Sequence, residues 1–417
     1  MCYNTLMSQT ARPLLALDIG TSSVKALLAK LGPGNMIEIT GVGKAMQHPD
    51  NMTAGAISDI AGVAKVAEHA LLDAEDLVEH PEPIDTVVGL AGELVKSAST
   101  TIKYLRIDAA KPIDEREVGN LISKIQKKAE EKARKEFEYD GMSHPDLQLI
   151  SCAITSIFID GHRVATPVGF KGKQLDITLY TAFAPLVHIS AIETVCMELR
   201  LNLITIAVEP FAVARAMLGR EVPEDFSATV IDIGGGTTDI AVIDRGGIVD
   251  TRMMGIAGRS FTHAIGNALH VDDEAAEKLK LHLDDQRIKA SVRAKMERGL
   301  RENLEIWFEG LGMALSDQPV EQLPTNIYLS GGGASLEMLT ESLATTNWYR
   351  KLAFARRPLV NLLQIELLDG YINNTEVELD HSYATALGLL RVGADTLNAP
   401  GDDTDSLKSR LKRLLRN

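Results

Sequence analysis

Apolar and polar positions follow one another in blocks that predict a mixed α/β protein. Short apolar runs predict strands at 14–18, 24–31, 34–48, 84–90, 175–184, 203–208 and 327–330. Apolar residues three and four positions apart predict helices at 56–79, 186–200 and 381–392. The segment 271–315 is charged and is also predicted to be helical. Strands and helices therefore alternate along most of the chain, as in layered α/β folds.

The pattern changes after residue 90. A strand near 100–107 is followed by a helix that starts after Pro112. Two further strands are predicted at Gln148–Ile154 and Ser156–Ile159. A strand, a helix and two strands within about eighty residues indicate a small domain inserted into the larger one.

Two segments repeat the same order of residues. Residues 14–31 have the sequence LLALDIGTSSVKALLAKL, and residues 228–245 have the sequence ATVIDIGGGTTDIAVIDR. Both contain an apolar strand, an Asp-Ile-Gly turn, small hydroxyl residues and a second apolar strand. The distance between the copies is too long for a solenoid, so we predict two duplicated domains that face each other.

Each repeat can form a phosphate site. A tight turn between strands exposes successive backbone N–H groups, and glycine lets the backbone approach a phosphate closely. Hydroxyl side chains add donors, and Lys25 can reach a β- or γ-phosphate. The candidate residues are Gly20, Thr21, Ser22, Ser23 and Lys25 in the first copy and Gly234, Gly235, Gly236, Thr237 and Thr238 in the second.

The aspartates of the two turns, Asp18 and Asp232, are candidate metal ligands. Their charge would repel a phosphate unless a cation lies between them, and Mg²⁺ usually keeps several waters, so we expect them to hold it through water. Neither copy contains a Walker A loop, and a Rossmann loop would open a helix instead of a second strand. The alternative is two glycine-rich hairpins without function, which the presence of two matched copies makes the weaker interpretation.

Three further segments are candidates to complete a nucleotide pocket. A strand that ends in glycine lets a flat base lie against bare backbone, and the candidate residues there are Gly331, Gly332, Gly333 and Leu336. Glu277 and Lys280 share a helix face and could grip a ribose, with a solvated ion pair as the alternative. Glu209 precedes Pro210 at a strand end and could orient a hydrolytic water, or it could be one surface glutamate among many.

Composition narrows the function classes. The chain has 417 residues, a formal net charge of −14 and 5% aromatic residues, which argues against nucleic-acid binding. Its three cysteines are far apart, which excludes a disulfide framework or a cysteine zinc site and suits a reducing cytoplasm. Residues 1–13 lack the apolar core of a signal peptide, and no uncharged apolar run approaches the length of a membrane span.

The last residues differ from the acidic rest of the chain. Residues 393–405 have the composition of a linker, and 406–417 form a basic amphipathic pattern. Its leucines are Leu407, Leu411, Leu414 and Leu415, and its cations are Lys408, Arg410, Lys412, Arg413 and Arg416. This pattern predicts an interfacial anchor on an anionic membrane, and a helix packed on its own domain is the alternative. Attraction between the five cations and an anionic membrane contributes roughly 5 kcal/mol of binding free energy at most. Stable attachment therefore needs many linked copies of the helix.

The order of these segments resembles that of the actin-like ATPases, and within them the FtsA family of bacterial cell-division proteins. The motifs DIGTSSVK and VIDIGGGTTDIAV, the insert and the cationic tail carry the resemblance. It implies an actin-like α/β fold of two duplicated, ribonuclease H-like domains that binds ATP and Mg²⁺, with the insert as a strand–helix–strand–strand (SHS2) subdomain. The implied division is a leader at 1–13, subdomain IA at 14–84 and 169–222, subdomain IC at 85–168, subdomain IIA at 223–260 and 325–392, subdomain IIB at 261–324, a linker at 393–405 and a membrane-targeting helix at 406–417.

The resemblance also implies a function. Such a protein polymerises on the cytoplasmic face of the inner membrane at the division site, tethers the FtsZ ring there and contacts later division proteins. FtsZ is expected to dock through its C-terminal peptide on 261–324, and ATP hydrolysis is expected to be slow at most. The sequence departs from the family at Ala257-Gly258-Arg259, where Gly-Gly-Asp is usual.

Other members of the superfamily are alternatives. A PilM-like pilus-assembly protein shares the hairpins, but such chains end without a basic tail. A sugar kinase needs a catalytic carboxylate beside a sugar pocket, and no clear candidate is present. A chaperone of this superfamily would need a substrate-binding domain after residue 392.

Overall fold

The computed structural model describes residues 13–53, 55–74, 83–220, 225–316 and 318–398. Its strands are β1 (Pro13–Ile19), β2 (Ser23–Leu31), β3 (Ile37–Met46), β4 (Met52–Thr53), β5 (Ala56–Ile57), β6 (Asp85–Leu90), β7 (Lys96–Leu105), β8 (Leu147–Ile159), β9 (His162–Arg163), β10 (Gln174–Pro185), β11 (Asn202–Val208), β12 (Ala228–Ile233), β13 (Thr238–Asp244), β14 (Gly247–Met254), β15 (Asn326–Ser330), β16 (Leu359–Leu362) and β17 (Tyr371–Asn373). Its α-helices are α1 (Ile60–Ala74), α2 (Glu115–Tyr139), α3 (Leu186–Glu198), α4 (Glu209–Leu218), α5 (Gly258–Leu269), α6 (Asp273–Leu281), α7 (Ala290–Ser316), α8 (Glu337–Thr345) and α9 (Ala384–Leu397).

Two sheets with the same plan confirm the predicted duplication. The first contains β3-β2-β1-β6-β11, and the second contains β14-β13-β12-β15-β16. In each sheet the first three strands are antiparallel and the last two continue in parallel. Strand β17 extends the first sheet by pairing in parallel with β3. Each hairpin repeat therefore supplies the two central strands of one sheet.

The helices α4 and α9 join the two halves. Helix α9 packs on β1 and β6 of the first sheet, α4 packs on β12 and β13 of the second, and the two helices pack on each other. Both are buried along most of their length because Ala and Gly face the contact. The two repeats are thereby held facing each other across one cleft.

The insert forms its own sheet, in the order β7-β10-β8-β9, and α2 packs on it. The prediction of two strands at 148–159 is wrong: β8 is one strand with an irregularity opposite Thr178 and Leu179. The extra residue, Thr155, breaks the apolar alternation there, which is why the sequence suggested a strand end. Strand β10 lies between β7 and β8, so the chain re-enters the core through the centre of this sheet.

The closing helix is longer than predicted. It ends at Leu397 instead of residue 392, so the first residues of the predicted linker are helical. Composition misled the prediction because glycine and aspartate are frequent in loops, whereas here Gly393 and Ala394 are buried in the helix. Asp395 pairs with buried Arg215 of α4 at 2.8 Å between Oδ2 and Nε. The predicted leader at 1–13 overlaps β1 at Pro13. Residues 1–12 and the chain from residue 399 onwards, with the predicted membrane helix, lie outside the described residues.

No helix in the described part of the chain is long and apolar enough to cross a membrane.

Gly388→Ala is expected to destabilise the fold. A Cβ at Gly388 would lie 2.0 Å from the backbone oxygen of Ala212, so α9 and α4 would have to move apart. Overpacking of this kind costs about 1–3 kcal/mol of unfolding free energy or more. Gly312→Ala on α7 is the matched control, because nothing lies within 4 Å of its Cβ position. It is expected to be neutral or to stabilise by up to about 1 kcal/mol. Equal denaturation midpoints for the two variants would contradict the α4–α9 contact.

Candidate functional site

The two hairpin turns have the same hydrogen bonding. In the first, the Gly20 amide donates to the Ser23 carbonyl at 3.1 Å, and in the second the Gly234 amide donates to the Thr237 carbonyl at 2.8 Å. The strand register pairs Asp18 with Lys25 in one copy and Asp232 with Asp239 in the other. The turns are therefore built alike, but the position opposite the turn aspartate is a cation in one copy and an acid in the other.

The turns meet across the cleft. A Cβ on Gly235 would lie 2.9 Å from the Ser22 Cβ, and a Cβ on Gly236 would lie 3.1 Å from the Thr21 Oγ1. Glycine avoids these contacts, which accounts for two of the three consecutive glycines in the second turn. The structure thus brings the predicted phosphate-binding turns together into one surface of backbone N–H and hydroxyl groups.

Four carboxylates and one lysine are clustered next to the two turns. Lys25 Nζ is 3.1 Å from Asp18 Oδ2, and Thr385 donates to Asp232 Oδ2 at 2.7 Å. Thr237 donates to Asp239 Oδ2 at 3.1 Å. The fourth acid, Glu209, begins α4.

Burial and mutual repulsion shift the pKa values of this cluster. Burial, followed by the charges of Asp18, Asp239 and Asp232, raises the pKa of Glu209 well above its ordinary value. Burial also raises the pKa of Asp232, although Thr385 and Lys25 act in the opposite direction. Burial alone would lower the pKa of Lys25, but its pairing with Asp18 prevails and raises it. A site with this excess of negative charge favours a bound cation.

The glycines after β15 lie against the second hairpin. A Cβ on Gly331, whose φ is 79°, would be 2.2 Å from Asp232 Oδ1, and a Cβ on Gly333 would be 2.4 Å from Ile233 Cγ2. By contrast, nothing lies within 4 Å of the Cβ position of Gly332, so this backbone presents an open face. Leu336 is half-buried against the second core. The segment therefore lies beside Asp232 and is open at Gly332, and its role in binding a base stays a prediction.

The predicted ribose pair, Glu277 and Lys280, is an ion pair at 2.7 Å on α6. Lys280 also donates to the Gly258 carbonyl at 2.9 Å and to Thr262 Oγ1 at 2.8 Å. Thr262 in turn donates to Glu277. The pair thus lies beside the start of α5, which contacts the second turn through a hydrogen bond from the Gly258 amide to the Gly234 carbonyl at 3.0 Å.

One predicted phosphate donor is wrongly assigned. Thr238 is fully buried, and its hydroxyl donates to the Ile256 carbonyl at 2.7 Å. It also accepts a hydrogen bond from Trp307 Nε1 at 3.1 Å. As the first residue of β13, Thr238 points to the opposite face from Thr237, so its side chain supports the core instead of the turn.

Three residues of the site were not among the sequence candidates. Asp239 occupies the position equivalent to Lys25, and comparison of the two repeats would have found it. Thr385 comes from α9 and carries no sequence signal. Arg259 was noted only as a departure from the family, yet its guanidinium reaches the first turn.

The site fits a polyphosphate and a hydrated cation. Where the two glycine-containing turns meet, their backbone N–H and hydroxyl groups form a surface of hydrogen-bond donors. Asp18 and Asp232 add two carboxylates, a ligand type that Mg²⁺ can bind through water. Within the described ranges, no group of three or more His, Cys, Asp or Glu residues could hold a metal ion directly.

Glu209→Gln is expected to stabilise the ligand-free protein in a pH-dependent way. Because its pKa is raised, folded Glu209 keeps a proton that the unfolded chain has lost above an ordinary pKa of about 4.3. The native state therefore loses stability as the pH rises from that value to the raised pKa. Glutamine removes this loss, so the advantage of the variant should be absent at pH 4 and present at pH 8. Chemical denaturation at both pH values measures it. Glu309→Gln, on the exposed face of α7, is the control. An advantage independent of pH would contradict the buried cluster.

The sequence model of a family described as "Cell division protein FtsA" matches residues 229–388. The matched segment runs from the second hairpin to α9 and includes the glycines after β15. It therefore contains the parts of the site that the second domain contributes.

Curated relatives have the same description. The FtsA of Neisseria meningitidis is 28% identical over 284 residues, which cover 66% of this chain and 62% of the relative. The FtsA of Pseudomonas aeruginosa is 25% identical over 278 residues, which cover 66% and 61%. The chain thus matches about three fifths of the length of these two relatives. The FtsA of Escherichia coli K12 is 24% identical over 447 aligned positions, which cover 98% of each chain.

Solved structures show the fold. The PilM–PilN type IV pilus biogenesis complex contains a chain with a TM-score of 0.64 and 20% identity, over 91% of this chain and 98% of that one. The ethanolamine utilization protein EutJ of Carboxydothermus hydrogenoformans has a TM-score of 0.50 and 15% identity, over 91% and 89%. The predicted actin-like fold and the resemblance to FtsA are confirmed. The matches show sequence similarity to cell-division proteins named FtsA and a fold shared with the chain of the PilM–PilN complex.

Proposed function

We propose that this chain is a divergent FtsA, an ATP-binding protein that polymerises on the inner membrane and attaches the FtsZ ring to it. Two findings about the same segments together support the proposal. The FtsA family model covers the second hairpin and the glycines after β15, and the structure brings these segments together with the first hairpin at one cleft. The resemblance to PilM lies below 25% identity and concerns the fold alone.

The residues of the cleft would bind ATP and Mg²⁺ in distinct roles. The two turns hold the phosphates through backbone N–H groups, with Lys25 as a cation. Asp18 and Asp232 would hold Mg²⁺ through water, and the bound metal would supply positive charge next to the phosphate oxygens. Gly331–Gly333 accept the adenine, while Glu277 and Lys280 bind the ribose.

Slow hydrolysis is part of this proposal, and the surroundings of Glu209 in the ligand-free cleft favour it. It lies among three other carboxyl groups and could orient a water for attack on the terminal phosphate. Its raised pKa means that it keeps its proton more readily than an ordinary glutamate. A protonated carboxyl accepts a proton poorly from water. This supports a nucleotide that persists in the cleft and controls assembly, with rare turnover.

Attachment to the membrane would come from residues 406–417. One basic amphipathic helix binds an anionic bilayer only marginally, so a single copy exchanges readily. A polymer presents many helices at once, and avidity makes its attachment stable. Nucleotide-controlled assembly would thereby also control membrane attachment.

The FtsZ contact is proposed on the α6–α7 part of the second domain, within 261–324. Several large apolar side chains are exposed there: Leu281, Ile306 and Met313. A short peptide with apolar anchors and charged flanks can dock on such a surface. The experiment is co-sedimentation of FtsZ from the same organism with anionic vesicles, with and without this chain and ATP.

FtsZ should pellet only when the chain is present, and FtsZ without its C-terminal peptide should stay in the supernatant. If FtsZ stays in the supernatant in every mixture, the tethering function is wrong. Binding of a PilN partner instead of FtsZ would favour a PilM-like function.

A further inference from the structure

Arg259 connects the two phosphate turns. It is the second residue of α5, and its backbone amide donates to the Gly235 carbonyl at 2.7 Å, which fixes it on the second turn. Its guanidinium Nη2 donates to the backbone carbonyl of Thr21 in the first turn. One side chain thus spans the line where the two halves of the molecule meet.

The guanidinium is a half-buried cation with unused donor capacity. A guanidinium has five N–H donors in a fixed fork, and here the structure gives it the Thr21 carbonyl as acceptor. Within the described ranges it forms no ion pair with an aspartate or glutamate. The nearby cation Lys25, by contrast, is already paired with Asp18. The donor fork of arginine matches phosphate oxygens better than it matches a single neutral carbonyl.

The position of Arg259 indicates which part of a nucleotide it would meet. The strip Gly331–Gly333 packs on Asp232 and Ile233, whereas Arg259 packs on Gly235 at the turn itself. A nucleotide with its base on the strip would therefore direct its phosphates, and not its base, towards the guanidinium.

We infer that Arg259 is a phosphate-binding residue that distinguishes nucleotides by the number of their phosphates. The inference rests on the proposed nucleotide site. Without a polyphosphate, the guanidinium donates to the Thr21 carbonyl and holds the two turns together. When a polyphosphate binds, the guanidinium exchanges this neutral acceptor for anionic oxygens, because charge-assisted hydrogen bonds are stronger. The position that departs from the family thus supplies a second cation.

The test is calorimetric titration of the 417-residue chain with AMPPNP, ADP and AMP in the presence of Mg²⁺. Arg259→Gln is expected to weaken AMPPNP binding about ten- to hundred-fold, the range of a charged hydrogen bond. ADP should be affected less and AMP about unchanged, within roughly two-fold. Arg259→Lys keeps the charge but not the fork and should be intermediate. Arg298→Gln, an exposed arginine of α7, is the matched control and should bind like the wild type.

The outcomes separate this inference from the nucleotide site itself. If the wild type binds no adenine nucleotide, both the site and the inference are wrong. If the wild type binds the nucleotides and Arg259→Gln binds all three with the same affinities, the nucleotide site stands and the role of Arg259 is wrong. Equally tighter binding of all three ligands by Arg259→Gln would also overturn it, since Arg259 would then only hold the empty turns together. Unchanged AMP binding also shows that the variant is folded.

Discussion

Asp232→Ala is expected to remove measurable ATP binding, with a loss of at least about a hundred-fold in affinity. The carboxylate has three roles at once, and each contributes to the loss. It is a proposed water-mediated ligand of Mg²⁺, it accepts the hydrogen bond of Thr385 at 2.7 Å, and it lies against Gly331. Loss of a group in the hydration shell of a metal alone typically costs 10- to 100-fold in affinity. Fluorescence titration with a labelled ATP analogue measures the effect.

Asp232→Asn separates charge from shape. The amide oxygen can still accept from Thr385, so the variant should fold as the wild type does, but it has no charge for the cation. We expect it to lose most of the Mg²⁺-dependent affinity. Wild-type affinity in Asp232→Ala would refute the assignment of the cleft as the ATP site.

Deletion of residues 406–417 is expected to release the protein from anionic vesicles almost completely. Those residues contain five cations and four leucines, and each cation near an anionic surface contributes about 1 kcal/mol. Co-sedimentation with and without ATP measures the bound fraction. The deletion should leave nucleotide affinity unchanged, because the described cleft ends with α9.

A charge-neutral tail is the matched control for the deletion. Replacement of the five cations by glutamine keeps the leucine stripe and should also release the protein. High salt should release the wild type for the same reason. Equal pelleting of the deletion variant and the wild type would exclude the tail as the anchor.

The duplicated sheets could be predicted because the information is local. An apolar strand, an Asp-Ile-Gly turn and a second apolar strand specify a hairpin within eighteen residues, and the chain contains this unit twice. The close approach of the turns follows from the glycines of the second copy. Hairpin geometry and repetition together singled out Asp18, Asp232 and Lys25, and their roles towards a nucleotide stay predictions.

The contacts that complete the site depend on long-range packing. Thr385 contacts Asp232 because α9 crosses the cleft, and no sequence motif around Thr385 predicts this contact. The contact from Arg259 to Thr21 likewise joins positions that are 238 residues apart. Thr238 shows the opposite error: a residue of suitable chemistry in the motif points into the core because strand alternation turns it away.

Helix ends were predicted poorly where composition and burial disagree. Gly393 and Ala394 suggested a linker, but small residues are what a helix needs to pack closely on a sheet and on α4. The sequence pattern alone cannot distinguish a small residue in a loop from one in a tight helix contact.

Electron microscopy of the 417-residue chain on an anionic lipid monolayer is the most direct test of ATP-controlled polymerisation at a membrane. We expect filaments attached to the monolayer with ATP and Mg²⁺, none on the monolayer with the chain that lacks residues 406–417, and none with Asp232→Ala. Absence of wild-type filaments under these conditions, or equal filaments with Asp232→Ala, would contradict an ATP-controlled polymer that attaches to the membrane.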